Sequence, residues 1–176
     1  MASAIKVRPV QPEDFNDVRY LHATAFRSQA YTYYAPEELD AFEKLVRAPS
    51  YIDRLMSNAL LGGWVGTELV ATAAWHRPQS NDRVGRISAL FVLPLFSRAG
   101  IGSYMLQAIE ASAEASECSL VSVRAPLNAQ LFFYANGYEI SGRGTSPLLD
   151  TRAIDIVFMR KTIPAKPRMA YSVCVN

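Results

Sequence analysis

The chain has 176 residues, 50% of them hydrophobic and 19% charged, which suits one domain with a sizeable core and excludes a disordered chain. A formal net charge of +2, with arginines scattered at Arg8, Arg54, Arg83, Arg98 and Arg124, offers no basic run for nucleic acid. Cys118 and Cys174 have no metal-ligand spacing, so no metal site is expected, and no apolar run approaches the ~20 residues of a membrane span; a soluble, reducing, cytoplasmic setting is the expectation.

In chain order, residues 5–10 alternate as a first strand. Pro12-Glu13-Asp14 opens a helix that is predicted to run to about Phe26, because proline and acids are favoured in a first turn. A tyrosine-rich connector, Tyr31-Thr32-Tyr33-Tyr34, leads to a second helix opened by Pro36-Glu37-Glu38, with Leu39, Phe42 and Val46 on one face. Residues 58–65 and 69–76 read as a hairpin around Gly66-Thr67-Glu68. Residues 86–92 form the next strand, after a loop at Ser80-Asn81-Asp82. A helix follows from Gly100, then a strand at 119–124 and a short helix at 128–135. Residues 138–141 and 154–160 are predicted to close the sheet as an antiparallel pair, joined by a loop through Gly142, Gly144 and Pro147.

The most informative stretch is 87–103. An apolar strand ends at Val92, Pro94 breaks it, and Gly100 and Gly102 open a helix whose Ile101, Met105, Leu106, Ile109 and Ala113 repeat at helical spacing. A glycine loop running into a helix N-terminus presents free N–H groups and the positive dipole end to an anion, here a pyrophosphate; an ordinary strand-to-helix turn fits the same residues. A P-loop is excluded because Ser103, not lysine, follows Gly102, and a dinucleotide fingerprint because Met105 stands where its third glycine belongs.

The stretch resembles the acyl-CoA loop of the GNAT superfamily of N-acetyltransferases, whose pattern is Gln/Arg-x-x-Gly-x-Gly/Ala. Gly100 and Gly102 match its last two fixed positions, while the first falls on Ser97, with Arg98 beside it. Ala129 and the run Phe132-Phe133-Tyr134-Ala135-Asn136-Gly137-Tyr138 resemble the family's Asn-x-x-Ala-x-x-Phe-Tyr-x-x-x-Gly-Phe segment, and residues 157–161 its last strand. The resemblance spans roughly residues 5–161. It implies an α/β, three-layer fold: a central mixed, mostly antiparallel sheet of about seven strands with helices on both faces. It divides the chain into a domain over 1–161 and a tail over 162–176, whose apolar stretch 169–175 could add to a sheet edge or to a partner, leaving a homodimer open.

The implied activity is transfer of an acetyl group from acetyl-CoA to a primary amine of a small or peptidyl acceptor, by direct attack in a ternary complex. A binding module that kept the acyl-CoA cleft and lost turnover is the alternative. The resemblance further implies that the pantetheine arm pairs with the strand at Leu90, Phe91 and Val92, and that the pyrophosphate sits on Arg98, Ala99, Gly100, Ile101, Gly102 and Ser103. Asn128 and Phe133 complete the cofactor positions, although Asn128 is equally readable as a helix cap.

Catalytic side chains are where the pattern departs. Phe133 stands where many family members carry a tyrosine that protonates the leaving thiolate, and Pro126 where an asparagine often contacts the cofactor. Tyr134, one residue on and about 100° round the helix, is the candidate acid; packing or exposure on a short helix is the rival reading. His76, at a strand end, is the candidate base, against a role as a hydrogen-bonded strand-end histidine, and His22 within the first helix is more simply structural. Tyr33 and Tyr34, with Glu37, Glu38 and Asp40 nearby, are read either as an acceptor pocket for a cationic amine or as packing tyrosines beside a helix start.

Overall fold

The computed structural model describes residues 5–81 and 83–164. The apolar stretch 169–175 therefore lies outside the described residues. Seven strands, β1 (Lys6–Pro9), β2 (Ala59–Val65), β3 (Glu68–His76), β4 (Val84–Val92), β5 (Leu120–Pro126), β6 (Glu139–Pro147) and β7 (Ala153–Thr162), form one open sheet in the order β1-β2-β3-β4-β5-β7-β6. Every neighbouring pair is antiparallel except β4–β5, which is parallel.

Helices cover both faces. α1 (Phe15–Ala30), α2 (Pro36–Arg47) and α3 (Pro49–Met56) precede β2, while α4 (Ile101–Ala115) crosses from β4 to β5 and α5 (Gln130–Ala135) lies between β5 and β6. α1 meets the sheet through His22, which bonds Thr72 of β3. α4 lies on the opposite face, where the Trp75 Nε1–H donates to Ser112 Oγ at 3.0 Å. The apolar residues expected on α2 and α4 are buried, Val46, Met105 and Ile109 completely, except Ile101, which is partly buried. The Tyr138 hydroxyl donates to Glu110 at 2.8 Å, and Lys161 also bonds that carboxylate, tying α4 to β7.

The structure corrects three local expectations. The first helix continues to Ala30 rather than ending near Phe26, because Ala30 still buries its side chain. Residues 49–56, to which the sequence pattern assigns no element, form α3: Pro49 sits at the first helical position and Tyr51, Ile52 and Leu55 make a buried stripe. Gly142, Gly144 and Pro147 lie within β6, not in a loop. A Cβ on Gly144 would stand 2.8 Å from the Phe158 ring, so glycine there lets that ring lie flat over the strand. Pro147 is tolerated because β6 is an edge strand.

A buried relay holds the middle of the sheet. Tyr51 Oη lies 2.7 Å from His22 Nδ1, His22 Nε2 2.7 Å from Thr72 Oγ1, and the Thr72 hydroxyl donates to the Ala89 carbonyl at 2.7 Å. Since Thr72 spends its proton on Ala89, it must accept from His22 Nε2–H, which leaves Nδ1 to accept from Tyr51. The neutral tautomer satisfies every group. Burial drives the His22 pKa down to about 3, so the ring stays neutral.

Thr72→Val removes both roles of the hydroxyl and leaves His22 N–H and the Ala89 carbonyl unpaired. It should cost about 1–3 kcal/mol in urea unfolding. Because an unfolded histidine binds a proton near its ordinary pKa of 6.5 and the native one only near 3, the stability from neutral His22 is full above pH 6.5 and is lost as pH falls toward 3. His22→Gln should remove that part of the pH dependence, measured as the difference from the parent protein across this range.

Candidate active site

β4 and β5 pair only from Val84↔Leu120 to Ile87↔Val123. Immediately beyond, β4 carries a bulge: its register with β3 shifts by one residue, and Ala89 adopts φ +51°, a left-handed conformation that is costly for a residue with a Cβ. The Thr72 hydroxyl on the Ala89 carbonyl holds it there. A bulge bends and twists its strand, so β4 leaves β5 and the two edges line a cleft of about 940 Å³. Leu90, Phe91 and Val92 of β4 face Arg124 and Pro126 of β5 across it, and Phe132 and Phe133 of α5 supply apolar wall.

One end of the cleft is a helix start. The Leu93 amide bonds the Val70 carbonyl at 2.8 Å, a single 3-10 turn covers Pro94–Phe96, and the backbone then takes positive φ at Arg98 (+63°) and Gly100 (+78°) before α4 begins at Ile101. No side chain caps α4, so its first-turn amides point into the cleft's mouth with the positive end of the helix dipole. A Cβ at Gly102 would lie 3.1 Å from Phe132, which leaves no room there for a branched side chain. Gln29 of α1 braces this end, donating to the Val92 carbonyl at 2.9 Å and to Ser97 Oγ at 3.2 Å. Ser97, the departure from the glycine-loop pattern, thus has a structural partner.

The other end gathers polar groups. His76 stands opposite Arg86 in the β3–β4 register, and Ser88 lies two residues along. His76 Nδ1, Ser88 Oγ and Asn128 Oδ1 are buried and, among the described residues, lack any hydrogen-bond partner; all three residues line the cleft. Burial lowers the His76 pKa below its ordinary 6.5, and the charges of Arg86 and Arg124 lower it further, so the ring is neutral at pH 7.

The cleft brings together His76, Leu90, Phe91, Val92, Arg98, Gly100, Gly102, Ser103, Asn128 and Phe133. Ala99 and Ile101 belong to the same turn without lining it. Asn128 does not cap a helix: neither the 3-10 turn at Leu127–Ala129 nor α5 has a side-chain cap bond. Tyr134 is not brought to the cleft, being 69% exposed, whereas Phe133 is buried against it. Tyr33 is largely exposed, and Tyr34 is buried with its hydroxyl donating to the Asp155 carbonyl and accepting from the Leu127 amide, both at 2.7 Å. Burial pushes the Tyr34 phenol up to about 12. Glu38 accepts from the Ala35 amide and Asp40 pairs with Arg27, so these acids serve α2 rather than the cleft. His22 is the buried link already described. Sequence reasoning missed Gln29, Arg54, Arg86, Ser88 and Arg124. Arg86 and Ser88 alternate with Ile87 on a predicted strand, which places them on one face, and Arg54 follows from the missed α3.

Residues 61–140 match the family model described as an acetyltransferase (GNAT) domain. That stretch of the chain is similar to a GNAT acetyltransferase domain. Solved structures share its whole architecture at low identity. One is a GCN5-related N-acetyltransferase (also described as "Aminotransferase, Class-II") from Rhodopseudomonas palustris, 22% identical over 93% of this chain and 98% of that one, with a TM-score of 0.84. Another is the PaiA N-acetyltransferase of Thermoplasma acidophilum in complex with coenzyme A, 14% identical over 91% and 99%, with a TM-score of 0.74. A third is a ribosomal-protein-alanine N-acetyltransferase from Brucella melitensis, 15% identical over 90% and 99%, with a TM-score of 0.66. No curated protein matches the chain by sequence. Among the described residues no helix is long and apolar enough to cross a membrane.

Acetyl-CoA at 100 times its dissociation constant should stabilise the GNAT fold by about 2.7 kcal/mol, a clear rise in melting temperature. Gly102→Val should abolish that rise, because its side chain would push on Phe132 beside the first-turn amides of α4, the groups suited to an anion. Arg98→Ala should only weaken it, since an exposed charge is screened by salt. A larger loss in Arg98→Ala would mean that side-chain charge, not backbone geometry, holds the pyrophosphate.

Proposed function

We propose that this protein moves an acetyl group from acetyl-CoA to a primary amine by direct attack within a ternary complex. As a GNAT acetyltransferase it is an acetyl-CoA-dependent enzyme. The observation that carries the reading is the unpaired β4 edge at Ala89–Val92, opened toward the uncapped start of α4 in one continuous cleft. An extended amide chain ending in a pyrophosphate matches both parts. The unpartnered Asn128 Oδ1 also fits such a guest, as do the side-chain-free approaches at Gly100 and Gly102. The PaiA structure holds coenzyme A, which supports the same ligand here.

Acetyl-CoA, when bound, supplies the acetyl group on a thioester whose thiolate, with an ordinary pKa of about 8.5, is a tolerable leaving group. The chain's residues do the rest. The amides of Ile101, Gly102 and Ser103, with Arg98, hold the pyrophosphate, and the backbone of Leu90–Val92 aligns the arm as an added strand. Phe91, Phe132 and Phe133 exclude water from the middle of the cleft. His76, neutral and with Nδ1 unsatisfied, receives the proton that the amine loses as its nitrogen bonds to carbon. No tyrosine lines the cleft among the described residues, so the thiolate leaves without a phenol from α5. The buried Phe133 is also the one observation favouring an acyl-CoA-binding protein without turnover; that reading predicts acetyl-CoA binding with no thiol release on any amine.

His76→Gln should lower kcat about 10²-fold while keeping the acetyl-CoA melting shift. The neutral ring is the working form, so the parent's rate should fall as pH drops below 6.5, and this acid limb should vanish in the variant. Tyr134→Phe should stay within about twofold of the parent, as expected for a group outside the cleft, whereas loss of a general acid would cost about 10²-fold or more.

A further inference from the structure

We infer that the acceptor amine carries its own anionic group, a carboxylate or a phosphate, which docks on Arg54, Arg86 and Arg124 at the end of the cleft away from α4. The inference rests on the acetyltransferase reading and deepens it. No aspartate or glutamate lines the cleft among the described residues, while four arginines do. Arg98 belongs to the helix-start end. The other three arginines have no ion pair: the salt bridges among the described residues engage Arg8, Arg27, Lys44, Arg47 and Lys161.

The sheet register puts two of these arginines on one face with the candidate base. Arg86 pairs with His76 across β3–β4, and Ser88 follows two residues on. Arg86 pairs with Ser122 across β4–β5, and Arg124, two residues on, shares that face of the sheet. The depressed His76 pKa agrees, since both arginine charges reach that ring. Arg54 comes from α3, its guanidinium 5.8 Å from the centre of the Tyr51 ring. Arg86 lies six positions before Val92 on β4, roughly 20 Å, so it is too far along the strand to share the pyrophosphate with Arg98.

The arrangement has two chemical consequences. A guanidinium fork is built for a carboxylate or phosphate, and Ser88 Oγ stands unpartnered next to it. A positive wall also disfavours the ammonium form of the amine and repels a polycation, so it selects an acceptor whose own anion answers the arginines. The cationic-amine pocket expected at Tyr33, Tyr34 and the nearby acids has no counterpart in this cleft.

The test is thiol release at saturating acetyl-CoA over the common amino acids, their carboxamides, aminoethyl phosphate and diaminopropane. An anionic member should exceed its amide, and the diamine, by at least about tenfold in kcat/KM, and the preferred anion identifies the group. Arg86→Gln and Arg124→Gln should each raise KM for that acceptor about tenfold or more, with acetyl-CoA KM unchanged; the lysine variants should restore part of the loss. Faster turnover of amides or diamine, an equal effect of the glutamine variants on every acceptor, or a rise in acetyl-CoA KM would overturn the inference while leaving the acetyltransferase reading in place. Silence across the panel overturns it too, and absence of any acetyl-CoA melting shift removes the reading beneath it.

Discussion

The hydrogen bond from the Thr72 hydroxyl to the Ala89 carbonyl is the constraint on which the rest of the molecule turns. A residue with a side chain does not rest at φ +51° unless its surroundings hold it there, and the relay from Tyr51 through His22 to Thr72 provides that hold from inside the core. The strain is local and its effect is not. One extra residue in β4 turns a sheet that would close along β5 into one that opens, and the opening is the site. α1 is committed twice over, through His22 at the bulge and through Gln29 at the Val92 carbonyl, so the helix fixes where the free strand edge begins and ends.

Along the cleft the physics changes in three steps. At the α4 end, uncapped amides and positive φ at Arg98 and Gly100 suit an anion. In the middle, aromatic rings and an unpaired strand edge suit an extended, mostly apolar arm that still carries amides. At the far end, side-chain charge takes over, with arginines around a histidine kept neutral by burial and by those same arginines. A neutral histidine accepts a proton without first having to lose one, which suits removal of a proton from an amine. The two cationic ends lie at opposite ends of the cleft, which is why the proposal gives each a different anion.

Much of this was legible in the sequence. Hydrophobic spacing placed six of the seven strands close to their observed bounds and placed α2 and α4, because those elements bury one clear face. The glycines at 100 and 102 marked the cradle, since few other roles require residues without side chains just before an amphipathic helix. The sequence pattern ends β6 early because glycine and proline favour turns, whereas the Phe158 ring packs against Gly142 and Gly144. α3 was missed because a short helix carries little periodicity, and with it went Arg54. The bulge was illegible: nothing about Ser88-Ala89-Leu90 distinguishes it from regular strand until Thr72 and His22 arrive from other elements. Tyr134 was chosen for its chemistry, and the helix turns that chemistry outward; a one-residue offset on a helix cannot be judged without its neighbours.

The free edge of β4 is the proposed partner of the acetyl-CoA arm. Amide hydrogen exchange, compared with and without saturating acetyl-CoA, reads this directly. Protection should rise at amides within Ala89–Val92 together with those of Arg98–Ser103, as expected if a strand-like ligand spans the distance between them. Protection confined to Arg98–Ser103, with exchange in Ala89–Val92 unchanged, would contradict it.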